Sequence, residues 1–364
     1  MLRATSRVGN TGQRAYPAPR YVNESGNNAS MTTILYPERM YADDSHETRI
    51  FGPGATIIMR DTDTLPDLSD ADCRAAAGLM IFRQYVTEAD MARMPALRCI
   101  VRMGVGYDRI DRAAAARRGI TVCNVPDYGT TEVADHAIAL VLALRRALFL
   151  HHDQLRDGPP GAWWATRTPL LRRSSSQTFG VVGLGRIGTA AALRAKALGM
   201  RVVFFDPARP NGADLALGIA RADTLEDLLR QSDVVSMHVP ETPETVGMMA
   251  APQFALMPPN AVFIDTARGT NMDVDALYDA LQSNHLAGAG LDVLPVEPPV
   301  APYPKLLLAY RAREPWLHGR LIITPHSAYL TPEAHLDIRI KSAETMRAAL
   351  MTNRPQNVIL PTDY

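Results

Sequence analysis

The sequence is poor in cysteine, and this limits the sites that it can form. Its 364 residues include three cysteines, Cys73, Cys99 and Cys123, and no C-x-x-C spacing. An odd number of cysteines without that spacing argues against a disulfide framework and against a zinc site. We therefore predict no bound metal and a reducing compartment, the cytoplasm.

The sequence also lacks an excess of charge and a long apolar run. It has 38 basic and 38 acidic residues and a pI near 7.1, which gives no electrostatic footprint for nucleic acid or an anionic membrane. The most apolar stretch begins at Ala137, carries Arg145 and Arg146, and is too short to span a bilayer. We expect a buried helix there, and a small molecule as partner with no nucleic acid and no membrane.

Residues 1–30 differ in composition from the rest of the chain. Four arginines precede the first acidic residue, Glu24, among Asn, Ser, Gly and Pro. We predict a disordered tail. An organellar targeting peptide is the less favoured alternative, because the segment lacks apolar residues at helical spacing and contains Pro17 and Pro19.

Residues 178–206 read TFGVVGLGRIGTAAALRAKALGMRVVFFD, which predicts a strand, a glycine turn, a helix and a second strand that ends on an acid. Gly183 permits a tight turn, Gly185 lets the backbone approach a pyrophosphate, and Gly188 lets the helix pack close to the strand. The helix N-terminus favours phosphate through its unpaired N–H groups and its dipole. Asp206 can accept from both ribose hydroxyls and would repel a 2′-phosphate, which favours NAD over NADP. A bare glycine motif also occurs in other strand-to-helix turns, but the complete unit predicts a dinucleotide site.

Short apolar runs alternate with helical patterns on both sides of a long helix predicted over residues 131–155. This alternation predicts α/β structure. We predict two Rossmann-like or flavodoxin-like domains, each a doubly wound parallel sheet. The first comprises residues 31–127 and 328–364, and the second, residues 128–327 with the glycine motif, is inserted into it. The last predicted helix, over residues 332–352, returns to the first domain.

Three polar residues follow consecutive predicted strands of the second domain: Arg268, Glu297 and His326. In a parallel sheet all three reach the crevice at the carboxyl ends of the strands, where a dinucleotide lies. Each residue alone is more often a surface charge or a satisfied loop residue. A 2-oxo acid needs a cation for its carboxylate, a proton donor for its carbonyl and a group that keeps the donor charged. We predict these roles for Arg268, His326 and Glu297, respectively.

Six motifs resemble the D-2-hydroxyacid dehydrogenase family and occur in the family order over about residues 70–350. They are VRMGVGYDRID, TVCNVPDYGTTEVADHAIALVLALRR, VVGLGRIG, DTARG, GLDVLPVEPP and TPHSAY. Within the family, the chain is most similar to the branch that includes the C-terminal binding proteins. The resemblance implies an NAD-dependent, D-specific oxidoreductase, usually dimeric, whose split substrate domain flanks the nucleotide domain.

The resemblance also implies roles for single residues. Arg268, Glu297 and His326 match the catalytic arginine, glutamate and histidine of the family. Arg102 matches a substrate-carboxylate position, and Asp292 resembles the residue that holds the nicotinamide carboxamide. The predicted substrate contacts are Arg102, Met103, Gly104, Val105, Gly106 and Tyr329. The predicted cofactor contacts are Gly183, Leu184, Gly185, Arg186, Ile187, Gly188, Asp206, Val239, Thr266, Ala267, Arg268, Asp292 and His326.

Three features depart from the family pattern. Asp135 stands where most of these dehydrogenases carry Glu and where the C-terminal binding proteins also carry Asp. Tyr329 stands where animal C-terminal binding proteins carry a substrate-contacting Trp, so their substrate preference does not transfer. Residues 298–322 form a segment longer than in compact members of the family. We favour a packed surface or a dimer arm for this segment, and the alternative is a wall over the substrate that includes Trp316.

We therefore predict an NAD-dependent oxidoreductase that interconverts a D-2-hydroxy acid and its 2-oxo acid, with His326 as general acid and base. The expected partners are this small acid and a second copy of the chain in a homodimer. The alternative is an NAD(H)-sensing regulator of the C-terminal binding protein kind, with weak dehydrogenase activity. The complete Arg, Glu and His set favours the enzyme, because a pure sensor needs no proton donor.

Overall fold

The computed structural model describes residues 31–161 and 163–362, and the predictions for residues 1–30 lie outside the described residues. The described chain forms two parallel sheets, one of five strands and one of seven. Each sheet has a buried apolar cluster on each of its two faces. The prediction of two doubly wound α/β domains is therefore confirmed.

Twelve strands and thirteen α-helices make up this part of the chain. The strands are β1 (Thr32–Tyr36), β2 (Ala55–Met59), β3 (Gly78–Ile81), β4 (Cys99–Arg102), β5 (Thr121–Asn124), β6 (Thr178–Val182), β7 (Arg201–Phe205), β8 (Ala220–Arg221), β9 (Val234–Met237), β10 (Ala261–Asp265), β11 (Leu286–Leu291) and β12 (Leu321–Ile323). The helices are α1 (Ser45–Phe51), α2 (Asp70–Ala75), α3 (Glu88–Ala92), α4 (Arg112–Arg117), α5 (Thr130–Arg145), α6 (Leu148–Asp157), α7 (Arg186–Ala197), α8 (Ala213–Leu217), α9 (Leu225–Gln231), α10 (Ala251–Leu256), α11 (Val274–Gln282), α12 (Lys305–Arg311) and α13 (Pro332–Leu350).

The first sheet has the strand order β2-β1-β3-β4-β5, and all its neighbouring strands are parallel. This is the flavodoxin-like order. The second sheet has the order β12-β11-β10-β9-β6-β7-β8, again parallel throughout, which contains the Rossmann order. Its strand order reverses between β6 and β9. A dinucleotide is expected at the carboxyl ends of these two strands, where such a sheet opens a crevice.

Helix α13 returns the chain to the first domain. Its residues Ile338 and Met346 are buried in the cluster that covers β3 and β4. A Cβ atom at Gly78 of β3 would lie 2.7 Å from Sδ of Met346, so this glycine permits the close approach of the helix. Arg339 of α13 also pairs with the buried Glu47 of α1 at 2.6 Å. The inserted arrangement is thus confirmed, and the boundary residues of the two domains stay predictions.

The prediction of one long helix over residues 131–155 is wrong in one respect, because this part of the chain forms two helices, α5 and α6. Ala147 has φ +50°, which ends the first helix and redirects the chain. Just before this break, the buried Arg145 donates to the carbonyl oxygens of Asp233 and Asn260, which holds the end of α5 against the second sheet. The predicted burial of α5 is confirmed. No helix within residues 31–161 and 163–362 combines the length and apolarity needed to cross a membrane.

Residues 298–322 pack on the outside of the second sheet. Leu306 of α12 and Leu317 are buried in the cluster formed with α11. The ring of Trp316 contacts Tyr278 edge-to-face, with 5.4 Å between the ring centroids. None of the described residues of this segment lines the cavity between the two domains. The packed-surface interpretation is therefore supported, and the alternative of a wall that includes Trp316 is wrong.

Candidate active site

A cavity of about 450 Å³ lies where the carboxyl ends of both sheets face each other. It brings together most of the predicted site residues from the two domains. Those that line it are Arg102, Val105, Gly106, Gly185, Arg186, Ile187, Val239, Thr266, Ala267, Arg268, Asp292, His326 and Tyr329. The predicted residues outside this lining are Met103, Gly104, Gly183, Leu184, Gly188, Asp206 and Glu297. Of these, Met103 and Leu184 are buried in the cores of their domains, because their side chains point away from the cleft.

His326 and Glu297 are in direct contact. Nδ1 of His326 lies 2.6 Å from Oε2 of Glu297, and Oε1 of Glu297 accepts from the backbone N–H of Leu294 at 2.9 Å. Burial raises the pKa of the Glu297 carboxyl, but the contacts with His326 and with the Leu294 N–H outweigh burial and hold this pKa below its usual value. Glu297 is therefore a carboxylate that accepts from Nδ1. Nε2 of His326 has no partner among the described residues and is the nitrogen that can exchange a proton in the cavity.

The loop that carries His326 is held by Asp292. The backbone N–H of His326 donates to the carbonyl oxygen of Asp292 at 2.8 Å, and the side chain of Asp292 accepts from the N–H groups of Ser327 and Ala328, both at 2.9 Å. Thr324 adds a hydroxyl contact at 2.5 Å. His326 itself has φ +51°, a conformation that costs a non-glycine residue roughly 1 kcal/mol or more. These bonds maintain the strained loop. The carboxamide contact predicted for Asp292 stays a prediction.

Arg268 contacts a residue that the sequence analysis did not predict. Nε and Nη2 of Arg268 both donate to Oδ1 of Asp108 at 3.1 Å, and Nη1 donates to the carbonyl oxygen of Ala267 at 2.7 Å. Asp108 belongs to the first domain, so this ion pair crosses the cleft. The position of an acid two residues beyond Gly106, inside a predicted substrate loop, was the signal that could have identified it.

Arg102 lies in the same cavity and forms no ion pair with a carboxylate of the described residues. Nη1 donates to the carbonyl oxygen of Met103 at 3.1 Å, and the guanidinium lies 5.7 Å from the ring centroid of Phe82. Burial lowers the pKa of Arg102, and the charge of Arg268 lowers it further, although Tyr128 opposes this change. A Cβ atom at Gly104 would lie 1.5 Å from Nη1, so the glycine makes room for the guanidinium. A half-buried cation with this environment is suited to bind an anion.

Aromatic rings form one wall of the cavity. Tyr329 contacts Tyr128 and Phe82 edge-to-face, with centroid distances of 5.8 Å and 6.1 Å, and its ring lies 6.5 Å from that of His326. Tyr329 was predicted as a substrate contact, whereas Tyr128 was missed. Both tyrosines line the cavity beside the histidine. They are positioned to contact the part of a substrate that does not react.

The glycine loop after β6 has room for a phosphate group. A Cβ atom at Gly183 would meet the His238 carbonyl oxygen at 2.8 Å, and one at Gly188 would meet the Gly183 carbonyl oxygen at 2.0 Å, so packing within the protein requires both glycines. Gly185 is different, because the nearest atom to its Cβ position, Nη2 of Arg209, is 4.0 Å away. The open space there and the uncapped N-terminus of α7 fit a dinucleotide pyrophosphate.

Asp206 ends β7 beside this loop. Its carboxylate accepts from the N–H groups of Leu184 and Ala208 at 2.8 Å and 2.9 Å, and Nε of Arg209 lies 3.4 Å from it. A carboxylate can accept about four hydrogen bonds, so capacity remains for ribose hydroxyls. The same corner therefore holds a negative group that suits NAD and a positive group that suits a 2′-phosphate.

Asp265 lies directly behind the Arg268 loop and is completely buried. Its Oδ1 accepts from the N–H of Ala267 at 2.8 Å, and its Oδ2 has no hydrogen-bond partner within the described residues. Burial raises the pKa of this carboxyl to about 8, against the opposing effects of the Ala267 N–H and of Arg268. Asp265 therefore carries a proton at neutral pH.

A segment near the C-terminus, Asn357–Ile359, lines the cavity opposite the nucleotide loop. Its backbone pairs with β5: the N–H of Asn124 donates to the carbonyl oxygen of Asn357 at 3.2 Å, and the N–H of Ile359 donates to Val122 at 2.8 Å. This segment was not predicted to contribute to the site. Within the described residues, no group of three His, Cys, Asp or Glu side chains has the geometry of a metal site.

The chain matches a known family model. Residues 138–328 match the family described as D-isomer specific 2-hydroxyacid dehydrogenase, NAD binding domain. The chain is 36% identical over 265 residues to a glyoxylate reductase of Korarchaeum cryptofilum. The aligned region covers 73% of this chain and 76% of that protein. It is 37% identical over 273 residues to a D-3-phosphoglycerate dehydrogenase of Archaeoglobus fulgidus, with 74% of this chain and 49% of that protein covered. The chain thus spans about half the length of the second relative.

Solved structures share the whole architecture. The D-lactate dehydrogenase of Aquifex aeolicus, crystallised with NAD and lactic acid, superimposes with a TM-score of 0.77 at 27% identity, over 90% of this chain and 99% of that one. The NADPH-dependent glyoxylate/hydroxypyruvate reductase of Sinorhizobium meliloti was crystallised with NADP and malonate. It superimposes with a TM-score of 0.75 at 28% identity, over 92% of this chain and 98% of that one. Similar structures therefore include both NAD and NADP complexes.

Proposed function

The chain belongs to the D-isomer specific 2-hydroxyacid dehydrogenase family, and from this we propose that it is an NAD-dependent oxidoreductase that interconverts a D-2-hydroxy acid and its 2-oxo acid. The relatives reported above are named as oxidoreductases that act on small hydroxy or oxo acids. The observation that carries the proposal is the contact of Glu297 with His326, which lines the same cavity as Arg268. In the proposed reaction His326 is the proton donor and Arg268 is the cation that binds the substrate carboxylate.

In reduction, the residues in and beside the cavity would have separate roles. Arg268 and Arg102 bind the carboxylate of the 2-oxo acid, which orients its carbonyl group. Nε2 of His326 donates a proton to the carbonyl oxygen, and Glu297 holds the ring in the required tautomer and orientation. A bound nicotinamide supplies the hydride. In oxidation, Nε2 accepts the proton of the hydroxyl group instead.

NAD is the proposed cofactor because the Asp206 carboxylate lies at the end of β7 beside the glycine loop, where it could accept from a ribose diol. The side chain of Asp206 is 12% exposed, and it keeps acceptor capacity beyond its bonds to Leu184 and Ala208. Arg209 offsets part of this preference. We therefore expect NADH to be preferred over NADPH by a moderate factor.

The proposed partner is a second copy of the chain. Helix α6 and the residues that follow it expose several large apolar side chains, which a homodimer would cover. They are Leu148, Phe149, Leu155, Trp163 and Trp164. The three free cysteines are all buried and accord with the cytoplasm as the proposed location.

The relation to the C-terminal binding protein branch has no support in the site. Asp135, on which part of that resemblance rests, lies on the outside of α5, where its carboxylate contacts Nε of Arg194 at 2.5 Å. Its side chain is 66% exposed and is not part of the cavity lining. Asp135 therefore gives no information about the substrate, and the NAD(H)-sensing regulator remains an outcome of the test below.

The test is a panel of 2-oxo acids assayed by NADH oxidation with the wild-type protein and with His326→Gln. Glyoxylate, pyruvate, hydroxypyruvate and longer or aromatic 2-oxo acids form the panel. We expect turnover on at least one of them and a loss of roughly 10² to 10⁴ in kcat for the variant, with NADH affinity unchanged. A His326→Gln enzyme within threefold of the wild type contradicts the role of this residue. No turnover on any acid, together with NADH-driven dimerisation, favours the regulator.

A further inference from the structure

Asp108 lies in the loop of residues 103–111, which follows β4 and is held in place by several hydrogen bonds. Nδ2 of the buried Asn124 donates to the carbonyl oxygen of Val105 at 2.7 Å, and the N–H of Val125 donates to Gly104 at 3.1 Å. At the far end of the loop, Asp111 caps helix α4 by accepting from the N–H of Ala114 at 2.9 Å. The loop is thus tied to the first domain on both sides of Asp108.

This loop receives the guanidinium of Arg268 from the second domain. A Cβ atom at Gly106 would lie 1.5 Å from Nη2 of Arg268, so the guanidinium packs directly on the backbone. Beside it, Oδ1 of Asp108 accepts from both Nε and Nη2. The side chains of Asp108 and Arg268 are only 22% and 23% exposed, which limits the screening of the pair by water.

The bonds of Arg268 leave a defined set of donors for a ligand. The guanidinium has five N–H groups. Asp108 accepts from the single N–H on Nε and from one N–H on Nη2, and the carbonyl oxygen of Ala267 accepts from one N–H on Nη1. One N–H on each terminal nitrogen therefore remains within the described structure. Two such N–H groups are what a carboxylate requires for bidentate binding.

Asp108 is charged when it holds Arg268. Burial raises the pKa of Asp108, but the charge of Arg268 and the hydrogen bonds outweigh burial, and the net change is downward. For Arg268, burial lowers the pKa while Asp108 raises it, and the net change is upward. Both groups thus stay ionised at neutral pH, and the contact is a charged hydrogen-bonded pair across the cleft.

We propose that Asp108 is a positioning residue that holds one edge of the Arg268 guanidinium across the interdomain cleft and directs the remaining edge toward the substrate carboxylate. The proposal rests on the function proposed above. It extends that function by adding Asp108, a residue of the first domain that acts through the side chain of Arg268 in the second domain. It also makes carboxylate binding depend on the relative position of the two domains.

Removal of Asp108 should impair the use of the 2-oxo acid and leave cofactor binding intact. A misplacement of about 1 Å costs roughly 10²-fold in rate for a well-oriented reaction. We therefore expect Asp108→Ala to lower kcat/KM for the best 2-oxo acid by a factor of roughly 10 to 100. Asp108→Asn retains an oxygen that can accept from Nε and Nη2, so it should lose clearly less.

The experiment compares wild type, Asp108→Ala, Asp108→Asn and Arg268→Lys, together with Asp108→Ala in the Arg268→Lys background. Asp70→Ala is the matched control, since Asp70 also contacts an arginine of the chain, Arg93, at 3.1 Å but lies on the outside of the first domain. Each variant is assayed for kcat, KM and NADH affinity. Asp108→Ser replaces Asp108→Ala if the latter does not fold.

The proposal requires that the loss caused by Asp108→Ala disappear to within twofold when Arg268 is already Lys. It also requires the kcat/KM of Asp70→Ala, and the NADH affinities of Asp70→Ala, Asp108→Ala and Asp108→Asn, to stay within twofold of the wild type. An Asp108→Ala enzyme with the wild-type kcat/KM overturns the proposal. So does an equal loss in the Arg268→Lys background, or a loss that Asp108→Asn fails to reduce.

A measurement of binding separates this proposal from the proposed function. Titration of the NADH-loaded protein with oxamate, an unreactive analogue of a 2-oxo acid, reports carboxylate binding without turnover. A wild type that binds oxamate but reduces no acid contradicts the proposed function, and the affinity of Asp108→Ala for oxamate then decides the role of Asp108. A wild type that neither binds oxamate nor turns over overturns both proposals.

Discussion

Nδ1 of His326 lies 2.6 Å from one oxygen of Glu297, while the other oxygen of that carboxylate is held by the backbone N–H of Leu294 at 2.9 Å. The glutamate is therefore anchored independently of the histidine. This anchoring gives the ring a fixed orientation. The contacts with His326 and with the Leu294 N–H also hold the pKa of the Glu297 carboxyl below its usual value, so a negative charge lies beside Nδ1.

Glu297→Gln should therefore shift the pH dependence of reduction. The substitution removes the charge but keeps the size of the side chain, so the pH at which kcat falls off should move lower. We expect a loss of roughly tenfold in kcat near neutral pH, smaller than the 10² to 10⁴ of general acid catalysis because His326 itself remains. The measurement is the pH profile of NADH oxidation. Glu88→Gln, at an exposed ion pair with Arg117, is the control, and an unmoved profile for Glu297→Gln would show that this residue has another role.

The corner formed by Asp206 and Arg209 predicts opposite effects of two substitutions. Asp206→Ala removes the acceptor for the ribose hydroxyls and the charge that repels a 2′-phosphate, so the preference for NADH should narrow by roughly tenfold. Arg209→Ala removes the nearby cation and should widen the preference. The measurement is kcat/KM with NADH and with NADPH for the three proteins. Equal efficiency of the wild type with both cofactors would contradict the role given to Asp206.

Much of the fold was predictable because its signals are local. The strand AVFIDTA, for example, is apolar and followed by polar residues, and the structure places β10 there with Arg268 just beyond its end. The contact between Glu297 and His326 was also anticipated, because each residue follows a strand and parallel strands end at the same edge. Patterns of this kind depend on the nearest residues along the chain.

The contacts that were missed join distant parts of the chain. Asp108 and Arg268 are separated by 160 residues and by two different sheets, and no local periodicity relates them. The break at Ala147 was missed for a similar reason, since the apolar pattern continues through it and the redirection accompanies the tertiary bonds of Arg145. Tertiary context overrides local propensity at both places.

Asp265 predicts a dependence of stability on pH. Its pKa is raised from 3.8 to about 8 in the folded protein. Between these values the folded state holds a proton that the unfolded state has released, so the free energy of unfolding falls as pH rises from about 4 to about 8. Asp265→Asn removes this effect and keeps an acceptor for the N–H of Ala267.

We therefore expect the Tm of Asp265→Asn to exceed that of the wild type at pH 8, by on the order of 5 °C. The difference should shrink toward pH 5, where the Asp265 carboxyl costs less to protonate. Thermal melts of both proteins from pH 5 to pH 9 provide the measurement, with Asp70→Asn as an exposed control. A constant difference across this range would mean that Asp265 does not carry the predicted proton.

The pairing of Asn357–Ile359 with β5 predicts that the end of the chain contributes to substrate binding. The pairing covers the edge of β5, and Leu360 adds an acceptor for Nη1 of Arg112 at 2.9 Å. Deletion of residues 355–364 removes these bonds, which are worth roughly 2 to 4 kcal/mol together at about 1 kcal/mol each. It also exposes a strand edge and opens one wall of the cavity.

The truncated protein should show a lower Tm and a KM for the 2-oxo acid raised by roughly tenfold, because the substrate loses part of its surroundings while His326 and Arg268 remain. Its affinity for NADH should not change, since the glycine loop lies on the opposite side of the cleft. Deletion of residues 361–364 alone is the control, because it keeps the pairing with β5. If both truncated proteins have the wild-type KM, the segment covers the edge of β5 without contributing to the site. If the longer truncation weakens NADH binding as much as it raises KM, it disturbs the packing of both domains rather than removing only a substrate-binding wall.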